Sequence, residues 1–231
     1  MKRNLFISFA VLALILFVFE KTDWDIKFQD CFFDGGWLIS ARMHQNLSPF
    51  FYRGFKIFTA SVGAVCLFCF LLSFKKEALR KYRASVLMLL LSLIFVPVIV
   101  AGGKQVTNQY CPKHIVRYGG PVPYVGVFES YPKDFVQIKN GKCFPAGHAT
   151  SGFAFMGLFF CFASCKKRIA GLAFGIIAGW IAGTYQMFRG EHFLSHTLVS
   201  MTASWIVVSA IYCLLKRFYK DPASATHADN N

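Results

Sequence analysis

Six apolar stretches, each nearly long enough to cross a lipid bilayer, recur along this chain of 231 residues. A transmembrane helix needs about 20 predominantly apolar residues. The composition agrees, because 55% of the residues are hydrophobic, which is too large a fraction for a soluble domain of this length. We therefore predict an all-α fold, a polytopic six-helix transmembrane bundle with an outward-facing loop cap. The stretches cover residues 5–19, 55–74, 84–101, 149–164, 169–188 and 197–215.

Basic residues lie mainly on one side of this six-helix alternation, which holds thirteen of the 25 lysines and arginines. An excess of Lys and Arg in short loops marks the cytoplasmic side of a membrane protein. We therefore expect a multi-pass protein of the bacterial inner membrane, with both termini in the cytoplasm and the opposite loops in the periplasm. The thirteen residues are Lys2, Arg3, Lys75, Lys76, Arg80, Lys81, Arg83, Lys166, Lys167, Arg168, Lys216, Arg217 and Lys220.

The net charge of +14 has two interpretations, nucleic-acid binding or membrane topology. The basic residues are dispersed and flank the apolar stretches instead of forming one patch. We therefore attribute the charge to topology. The membrane and its lipids are the expected partners, and no nucleic-acid partner is expected.

The two ends of the chain bound the predicted domain. The first apolar stretch follows Lys2 and Arg3 as a signal peptide would, but residues 18–21 offer no small-residue cleavage site, so an uncleaved anchor is favoured over a cleaved signal peptide. At the other end, residues 221–231 are small and polar, which is typical of a disordered tail. We predict a single transmembrane domain over residues 1–220 and a disordered cytoplasmic tail over residues 221–231.

The eight cysteines do not indicate a disulfide-rich scaffold, because five of them lie in apolar stretches or directly beside one, where Cys acts as a small hydrophobic residue. Cys111 and Cys143 lie near the two ends of the long loop from 102 to 147, on the side where an oxidising compartment would permit pairing. A disulfide between them is one hypothesis, and two free thiols are the alternative.

Histidine and basic side chains occupy the loops of the predicted outward side. His192 and His196 are four residues apart, with Arg189 one turn earlier, so the three would share one face of a helix. His148 stands at the entrance of the fourth apolar stretch, and Lys104 follows the third. Helix packing can bring these sequence-distant groups together in one leaflet. Cations and imidazoles at such a place would suit the binding of a phosphate.

These residues resemble the signature of the type 2 phosphatidic acid phosphatase family. The family pattern is a Lys six residues before Arg-Pro, then Pro-Ser-Gly-His, then Ser-Arg, five residues, His, three residues and Asp. Here the first element reads Lys104, six residues, Cys111-Pro112. The second reads PAGH at residues 145–148, and the third reads RGEHFLSH at residues 189–196. The resemblance spans residues 104–196, and its order, spacing and topology fit.

The resemblance implies a mechanism and a set of roles. In that family the His of the third element attacks phosphorus to form a phosphohistidine, and the His of the second protonates the leaving oxygen. Carried over, His192 is the nucleophile, His148 the general acid, and Lys104 and Arg189 bind the phosphoryl oxygens. Gly147 would allow the phosphate to approach a helix start closely. The implied protein is a lipid phosphate phosphatase that needs no metal and no cofactor, because basic and imidazole side chains supply the charge and the protons.

Two departures from the family pattern affect phosphate binding. Cys111 stands where the family has Arg, so that contact would have to come from Arg117 or from its neighbours Lys113 and His114. Ala146 stands where the family has Ser and removes a hydroxyl that would bond to the phosphate. We count Arg117 among the candidate phosphate-binding residues.

Two further departures affect the third element. Gln186 occupies the position of the family Arg, and Arg189 follows three residues later on the same helical face. His196 replaces the Asp that orients the nucleophile, and we assign it to the catalytic set in that role. A neutral imidazole can accept the same hydrogen bond but cannot stabilise an imidazolium as a carboxylate does.

Two other functions stay open at this point. Because an i, i+4 histidine pair suits zinc, His192 and His196 would be metal ligands with His148 as a third, although Arg189 beside them would repel a cation. Alternatively, Cys111, Gln186 and His196 indicate a degenerate family member that binds an anionic lipid without turning it over, or that helps a partner enzyme. The sequence identifies neither the lipid nor the oligomeric state.

Overall fold

The computed structural model describes residues 2–216. The predicted tail, residues 221–231, and two of the basic residues, Arg217 and Lys220, lie outside the described residues. Within the described range the regular elements are helices and there is no strand, which confirms the all-α class. The α-helices are α1 (Lys2–Lys21), α2 (Trp24–Asp30), α3 (Ala41–Ser48), α4 (Phe55–Leu72), α5 (Glu77–Arg80), α6 (Arg83–Val96), α7 (Gly147–Phe153), α8 (Cys165–Met187) and α9 (Leu194–Leu215).

Five helical segments among residues 2–216 are long and apolar enough to cross a membrane, which supports a multi-pass membrane protein. The predicted fourth stretch differs from the others. It forms α7 and a 3₁₀-helical continuation, Ala154–Phe160, and together these are shorter than the roughly 20 residues that a spanning helix needs. The prediction of six spanning helices is therefore not confirmed at this segment. The five segments are Arg3–Lys21, Ala41–Leu72, Arg83–Gln105, Cys165–Met187 and Leu194–Leu215.

Two of these five membrane segments contain a π-helical part in addition to their α-helices. A π-helical segment, Pro49–Gly54, joins α3 to α4, so the second segment is much longer than its apolar part at residues 55–74. Another π-helical segment, Pro97–Ala101, extends α6 towards a 3₁₀ turn, Gly103–Gln105, that carries Lys104. Local π-helical insertions occur often at functional sites. Both of these segments lead into the candidate site.

Glycines along α8 let the neighbouring segments pack closely against it. A Cβ atom at Gly179 would lie 2.1 Å from the Phe153 ring of α7, and one at Gly183 would lie 2.5 Å from the Thr197 side chain of α9. Small residues spaced four apart permit this close approach between membrane helices. The same spacing continues through Gly171 and Gly175. Helices α7, α8 and α9 therefore form the tightly packed centre of the bundle.

The long loop between α6 and α7 folds against the turn that precedes α9. The backbone N–H of Lys113 donates a hydrogen bond to the carbonyl of Gly190 at 2.9 Å. A disulfide joins Cys111 to Cys143, which confirms the predicted pairing. These contacts hold the loop beside the residues predicted to bind phosphate.

Candidate active site

Two imidazoles from separate turns of the chain lie close together at one end of the bundle. His148 is the second residue of α7, and its ring centroid lies 6.1 Å from that of His192, in the turn between α8 and α9. The Ala146 N–H donates to the carbonyl of His196 at 3.2 Å, and the Ser200 hydroxyl donates to the carbonyl of Ala146 at 3.1 Å. The structure thus brings together the two histidines assigned as nucleophile and general acid.

The arrangement of His192 and His196 differs from the predicted one. Helix α9 begins at Leu194, and Phe193 before it has an extended backbone, so the two histidines do not share a helix face and that prediction is wrong. Their ring centroids lie 5.7 Å apart in an edge-on orientation. His196 is fully buried, and neither of its ring nitrogens has a hydrogen-bond partner of normal geometry among the described residues. The hydrogen bond expected to orient His192 is therefore absent between this pair.

A sulfur atom lies beside His192 instead. The Nδ1 atom of His192 lies 3.5 Å from Sγ of Cys143, which belongs to the disulfide. Both side chains are buried, with 3% and 0% of their surface exposed, respectively. The disulfide therefore packs directly against the ring of the candidate nucleophile, on the Nδ1 side.

Lys104 lies against the start of α7. A Cβ atom at Gly147 would approach Lys104 Cε to 3.1 Å and Nζ to 3.3 Å. This contact brings the ammonium group beside the residue that precedes His148, and only a glycine leaves the lysine side chain undisturbed there. The structure thus places Lys104 and Gly147 together, as the motif led us to expect.

Arg189 is held in place by its neighbours in the turn after α8. Its Nη1 donates to Gln186 Oε1 at 2.9 Å, and its Nη2 donates to Glu191 Oε1 at 3.1 Å. The same carboxylate oxygen accepts from Lys113 Nζ at 2.8 Å. Gln186, which stands where the family has Arg, therefore orients Arg189 rather than replacing it.

Arg117 makes its polar contacts away from the histidines. Its guanidinium donates twice to the carboxylate of Asp30, at 2.8 and 2.7 Å, and 55% of its side chain is exposed. The structure does not bring Arg117 into contact with His148 or His192. We therefore leave Arg117 out of the phosphate site that we propose below.

Burial controls the protonation of the two facing histidines, both of which lie outside the five membrane segments. Burial lowers the pKa of His192 well below its usual value of 6.5, and the charge of Lys104 lowers it further. Burial, followed by the charges of Lys56 and Lys104, lowers the pKa of His148 to about 4. Both imidazoles are therefore neutral at neutral pH in the free protein. A neutral His192 has the lone pair that a nucleophile needs, whereas His148 would need a nearby negative charge to hold a proton.

The sequence motifs did not indicate the aromatic wall of the site. Tyr52, in the π-helical segment, packs its ring 4.7 Å from that of His148. The Lys56 ammonium lies 4.6 Å from the Tyr52 ring. A tyrosine and a lysine at a predicted helix entrance carry no distinctive pattern. Tyr52 lies before the predicted second apolar stretch, which begins at residue 55, so hydropathy did not point to it either.

A buried carboxylate anchors the start of α9 and was also missed. One oxygen of Asp25 accepts the backbone N–H of Ser195 at 2.8 Å, and the other accepts the Ser195 hydroxyl. Asp25 is 3% exposed, and burial raises its pKa to about 6. The N-terminal N–H groups of a helix need such acceptors, and here the acceptor comes from α2. No pattern in the sequence connects two residues this far apart.

An apolar groove adjoins the site between the π-helical segment and α8, with a volume of about 530 Å³. Tyr185 connects the two, because its ring stacks on Phe51 with centroids 5.4 Å apart and lies 5.7 Å from the Arg189 guanidinium. Its hydroxyl is hydrogen-bonded to the His44 ring. The groove therefore begins beside a basic side chain and continues along the apolar surface of α8. Its other walls include Leu47, Ile176, Trp180 and Ile181.

Comparison with known proteins identifies the family of the chain. A family model described as the PAP2 superfamily matches residues 81–220, which is more than half of the chain. The matched range includes Lys104, His148, Arg189 and His192. No curated protein and no solved structure matches the chain.

Proposed function

This chain belongs to the PAP2 superfamily, whose members are phosphatases, and on that premise we propose that it is an integral membrane phosphatase that removes or transfers the phosphate of a lipid headgroup. One observation carries the proposal. His148 and His192, from turns more than forty residues apart, lie with ring centroids 6.1 Å from each other, and Lys104 lies beside the same helix start. This is the set of groups that a phosphohistidine mechanism requires.

The first half-reaction forms the bond between His192 and phosphorus. Because Nδ1 of His192 faces Cys143 Sγ, a weak acceptor, we assign the proton to Nδ1 and the lone pair to Nε2. Nε2 attacks phosphorus, and the bond from phosphorus to the headgroup oxygen breaks with its electron pair on oxygen. His148, protonated in the complex, gives that oxygen its proton. The products are the phosphohistidine and a lipid alcohol.

The second half-reaction releases the phosphate. Water attacks the phosphohistidine, and His148, now neutral, accepts a proton from that water. The phosphorus–nitrogen bond breaks and its electron pair returns to Nε2 of His192. Inorganic phosphate leaves, and the histidines regain their starting state. An alcohol in place of water would give phosphate transfer by the same steps.

Basic side chains stabilise the charge on the phosphoryl oxygens. Lys104 supplies an ammonium group beside Gly147. Arg189 has five N–H donors, of which the contacts with Gln186 and Glu191 use two, and the others remain for phosphate. Preorganised donors of this kind supply a large part of enzymatic rate acceleration. We propose that these side chains suffice for the chemistry without a metal or a cofactor.

One observation supports a lipid as the substrate, and a second supports the side of the membrane that the site faces. The apolar groove beside Arg189 offers a place for a hydrocarbon chain whose headgroup lies at the histidines. The basic residues that mark the cytoplasmic side lie at the opposite ends of the membrane segments from the site. We therefore propose that the site faces the periplasm and that a phosphorylated lipid reaches it from the outer leaflet.

The test is phosphate release by the protein purified in detergent, in the presence of a metal chelator, over a panel of lipid phosphates. His192→Ala should abolish the release, by at least about 10³-fold, which is the scale of loss when a nucleophile is removed. His227→Ala, which changes a histidine outside the residues that the family model matches, serves as the matched control and should keep its activity. Vanadate should inhibit. Undiminished release by the His192 variant, or loss of release on chelation, would contradict the proposal.

A second candidate is a membrane protein that binds lipid phosphate without turnover. It is favoured by the missing hydrogen bond between His196 and His192, because an unoriented nucleophile reacts slowly. Binding of a lipid phosphate without any release of phosphate, in wild type and His192→Ala alike, would establish this candidate. Measurable turnover that depends on His192 would exclude it.

A further inference from the structure

One sulfur and two imidazoles form a buried cluster behind the site, and the phosphatase chemistry does not explain it. One ligand atom from each of Cys143, His192 and His196 lies within 4.8 Å of the other two. All three side chains are buried, with at most 3% of their surface exposed. Thiolate sulfur and imidazole nitrogen are the preferred ligands of zinc in proteins. The cluster therefore has the composition of a three-ligand zinc site.

His196 provides an independent reason to expect a ligand here. It is 0% exposed, and both ring nitrogens lack a hydrogen-bond partner of normal geometry among the described residues. The backbone carbonyl of Cys143 lies nearby without completing a normal hydrogen bond to the ring. A buried polar group without a partner is costly, and in native proteins it usually has an ion, a water molecule or a functional role. A metal ion in this cluster would use one of these nitrogens.

One of the three distances between ligand atoms matches that of a tetrahedral zinc site. Zinc binds sulfur at about 2.3 Å and nitrogen at about 2.0 Å, which puts the two ligand atoms about 3.5 Å apart in a tetrahedral site. The distance from Cys143 Sγ to His192 Nδ1 is 3.5 Å. The two distances that involve His196 are within 4.8 Å, so its ring would have to move closer to the other two ligand atoms to complete the set.

The disulfide decides whether this site is available. In the disulfide, Cys143 has no thiol to deprotonate, and a disulfide sulfur is a poor ligand for zinc. We propose that Cys143, His192 and His196 form a zinc site that the Cys111–Cys143 disulfide keeps closed, and that reduction of the disulfide lets Zn²⁺ bind and block the nucleophile. The proposal assigns the disulfide a second role beside holding the loop.

The reaction balances as an ordinary thiol–disulfide exchange followed by metal binding. A thiol reductant transfers two electrons to the Cys111–Cys143 bond and is itself oxidised to a disulfide, which leaves two cysteine thiols. Zn²⁺ then displaces the proton of the Cys143 thiol and binds Nδ1 of His192 and one ring nitrogen of His196. The proton of His192 Nδ1 passes through water to Nε2, which removes the lone pair of the nucleophile. A water molecule or a phosphate oxygen takes the fourth position. No oxidation state of the metal changes.

The charges around the cluster permit this binding. Lys104 opposes zinc binding, because its positive charge disfavours another positive charge at His192. The new thiolate of Cys143 contributes a negative charge at direct contact with the ion. Arg189, in the turn after α8, and Lys113, in the long loop, share the carboxylate of Glu191, which offsets part of their charge. The ligands therefore include a negative charge that offsets the charge of the ion only when the disulfide is reduced.

The binding part of the proposal is tested with Zn²⁺ and two variants that both lack the disulfide. Cys111→Ser leaves a thiol at Cys143, whereas Cys143→Ser removes it. After equilibration with Zn²⁺ and gel filtration in detergent, Cys111→Ser should retain one zinc per chain more than Cys143→Ser or the oxidised wild type. A third variant, Cys111→Ser with His196→Ala, should bind zinc at least about 10-fold more weakly than Cys111→Ser, since even the loss of an outer contact to a ligand costs that much.

Cobalt replaces zinc as a spectroscopic probe in the same comparison. Co²⁺ bound to Cys111→Ser should show the sulfur-to-metal charge-transfer band and the strong visible bands of a tetrahedral site, and Cys143→Ser should show neither. This signature separates the cluster from the exposed cysteines Cys31 and Cys165, which are common to both variants. If Cys111→Ser does not fold, wild type treated with a phosphine reductant takes its place and should acquire the same bands.

The blocking part rests on the proposed function and is read from inhibition of phosphate release. Zn²⁺ should inhibit Cys111→Ser at concentrations at least about 10-fold lower than those that inhibit Cys143→Ser. Zinc binding without inhibition would overturn the blocking role alone. Equal zinc content in the two variants, or cobalt spectra without the sulfur band, would overturn the site itself. Neither binding result depends on whether the protein turns over a lipid phosphate, so failure of the phosphatase assignment remains distinguishable.

Discussion

The first two and the last two membrane segments of the described chain are embedded in the molecule to very different degrees. Within the protein, 44% of the most apolar part of Cys165–Met187 and 39% of that of Leu194–Leu215 are buried. For Arg3–Lys21 and Ala41–Leu72 the corresponding shares are 6% and 11%. The C-terminal helices are thus a packed core, and the first two membrane segments lie at its edge.

The chemistry of the candidate site follows the same division. His148, His192 and Arg189 belong to the C-terminal half, Lys104 lies at the end of the third membrane segment, and all four fall within the residues that the family model matches. The N-terminal half contributes the ring of Tyr52, the carboxylate of Asp25 and one wall of the apolar groove. Reacting groups must be held to within a fraction of an ångström, which a packed core achieves better than an exposed edge. We infer that the core performs the reaction and the edge positions the core and binds the lipid chain.

The largest expected effect tests whether His148 belongs to the reacting set. His148→Ala should lower kcat by about 10² to 10⁴-fold, the usual contribution of general acid catalysis. With an aryl phosphate, whose leaving group needs no proton, the loss in kcat/KM should be mostly recovered, because kcat/KM reports the first half-reaction; the loss in kcat should remain, because His148 is also the base for the attack of water. The counterpart in the N-terminal half is Tyr52→Phe, which keeps a ring beside His148 and should cost far less. A large loss in Tyr52→Phe would break the division between core and edge.

The next effect uses a single methyl group in each half. Gly147→Ala should lower kcat/KM by about 10 to 100-fold, because the new Cβ lies 3.3 Å from Lys104 Nζ and displaces the ammonium from the phosphate. Gly63→Ala in α4 is the matched control, since a Cβ there meets nothing within 4 Å. Phosphate release at several lipid concentrations measures both. Equal activity in the two variants would remove Lys104 from the site.

The pH dependence of the wild-type protein gives a smaller effect, a change of about tenfold in kcat/KM for each pH unit. His148 must be protonated to act, and in the free protein its pKa is lowered to about 4 by burial and by Lys56 and Lys104. Because kcat/KM reports the free protein, its basic limb should lie on the acid side of 6.5. A bound phosphate raises the pKa of His148, so the basic limb of kcat should lie at higher pH. Coincident limbs in the two profiles would argue that phosphate does not approach His148.

Much of the fold could be predicted because membrane segments are a local property of sequence. Each apolar run can be identified from its own hydropathy. The five candidate membrane segments match the predicted runs to within a few residues or extend beyond them. The fourth run was different. It forms a short helical segment that is buried within the protein, so its length is not set by the thickness of the bilayer. In Ala41–Leu72 the polar first turns belong to the same helix, which hydropathy alone does not show.

The site was predictable where one motif held the information and not where distant segments meet. His148, His192 and Lys104 came from spacing and topology, and the geometry brings them together. The shared helix face of His192 and His196 was wrong, because the extended backbone at Phe193 delays the start of α9. The contact from Asp25 to Ser195 depends on how α2 packs on α9, and no local pattern encodes such a contact.

Asp25 links the two regions, because it lies near the N-terminus and accepts hydrogen bonds from Ser195 in the packed core. Its pKa is raised from 3.8 to about 6, mainly by burial, so the folded protein binds a proton more tightly than the unfolded chain. Its contribution to stability is therefore full below about pH 4 and is lost as pH rises through 6, a change on the order of 2 to 3 kcal/mol. Asp25→Asn should remove this dependence.

The measurement is the thermal midpoint of wild type and variant in detergent between pH 4.5 and 7.5. Wild type should exceed Asp25→Asn by more at pH 4.5 than at pH 7.5, since the variant has no carboxylate to ionise. Asp23→Asn, which changes an exposed carboxylate two residues earlier, should show the wild-type dependence. A constant difference between wild type and Asp25→Asn across this range would mean that the carboxylate does not titrate in its buried contact with Ser195.

The smallest expected effect compares two arginines of the C-terminal half. Arg117→Gln should change phosphate release by less than about fivefold, because its side chain is mostly exposed and paired with Asp30, and exposed ion pairs contribute at most about 1 kcal/mol. Arg189→Gln removes a donor held beside the groove and should lower kcat/KM by about 10²-fold or more. If instead Arg117→Gln caused the larger loss, the ion pair with Asp30 would have to open when substrate binds, and the loop between α6 and α7 would move onto the phosphate. The N-terminal half, which supplies Asp30, would then control the chemistry rather than support it.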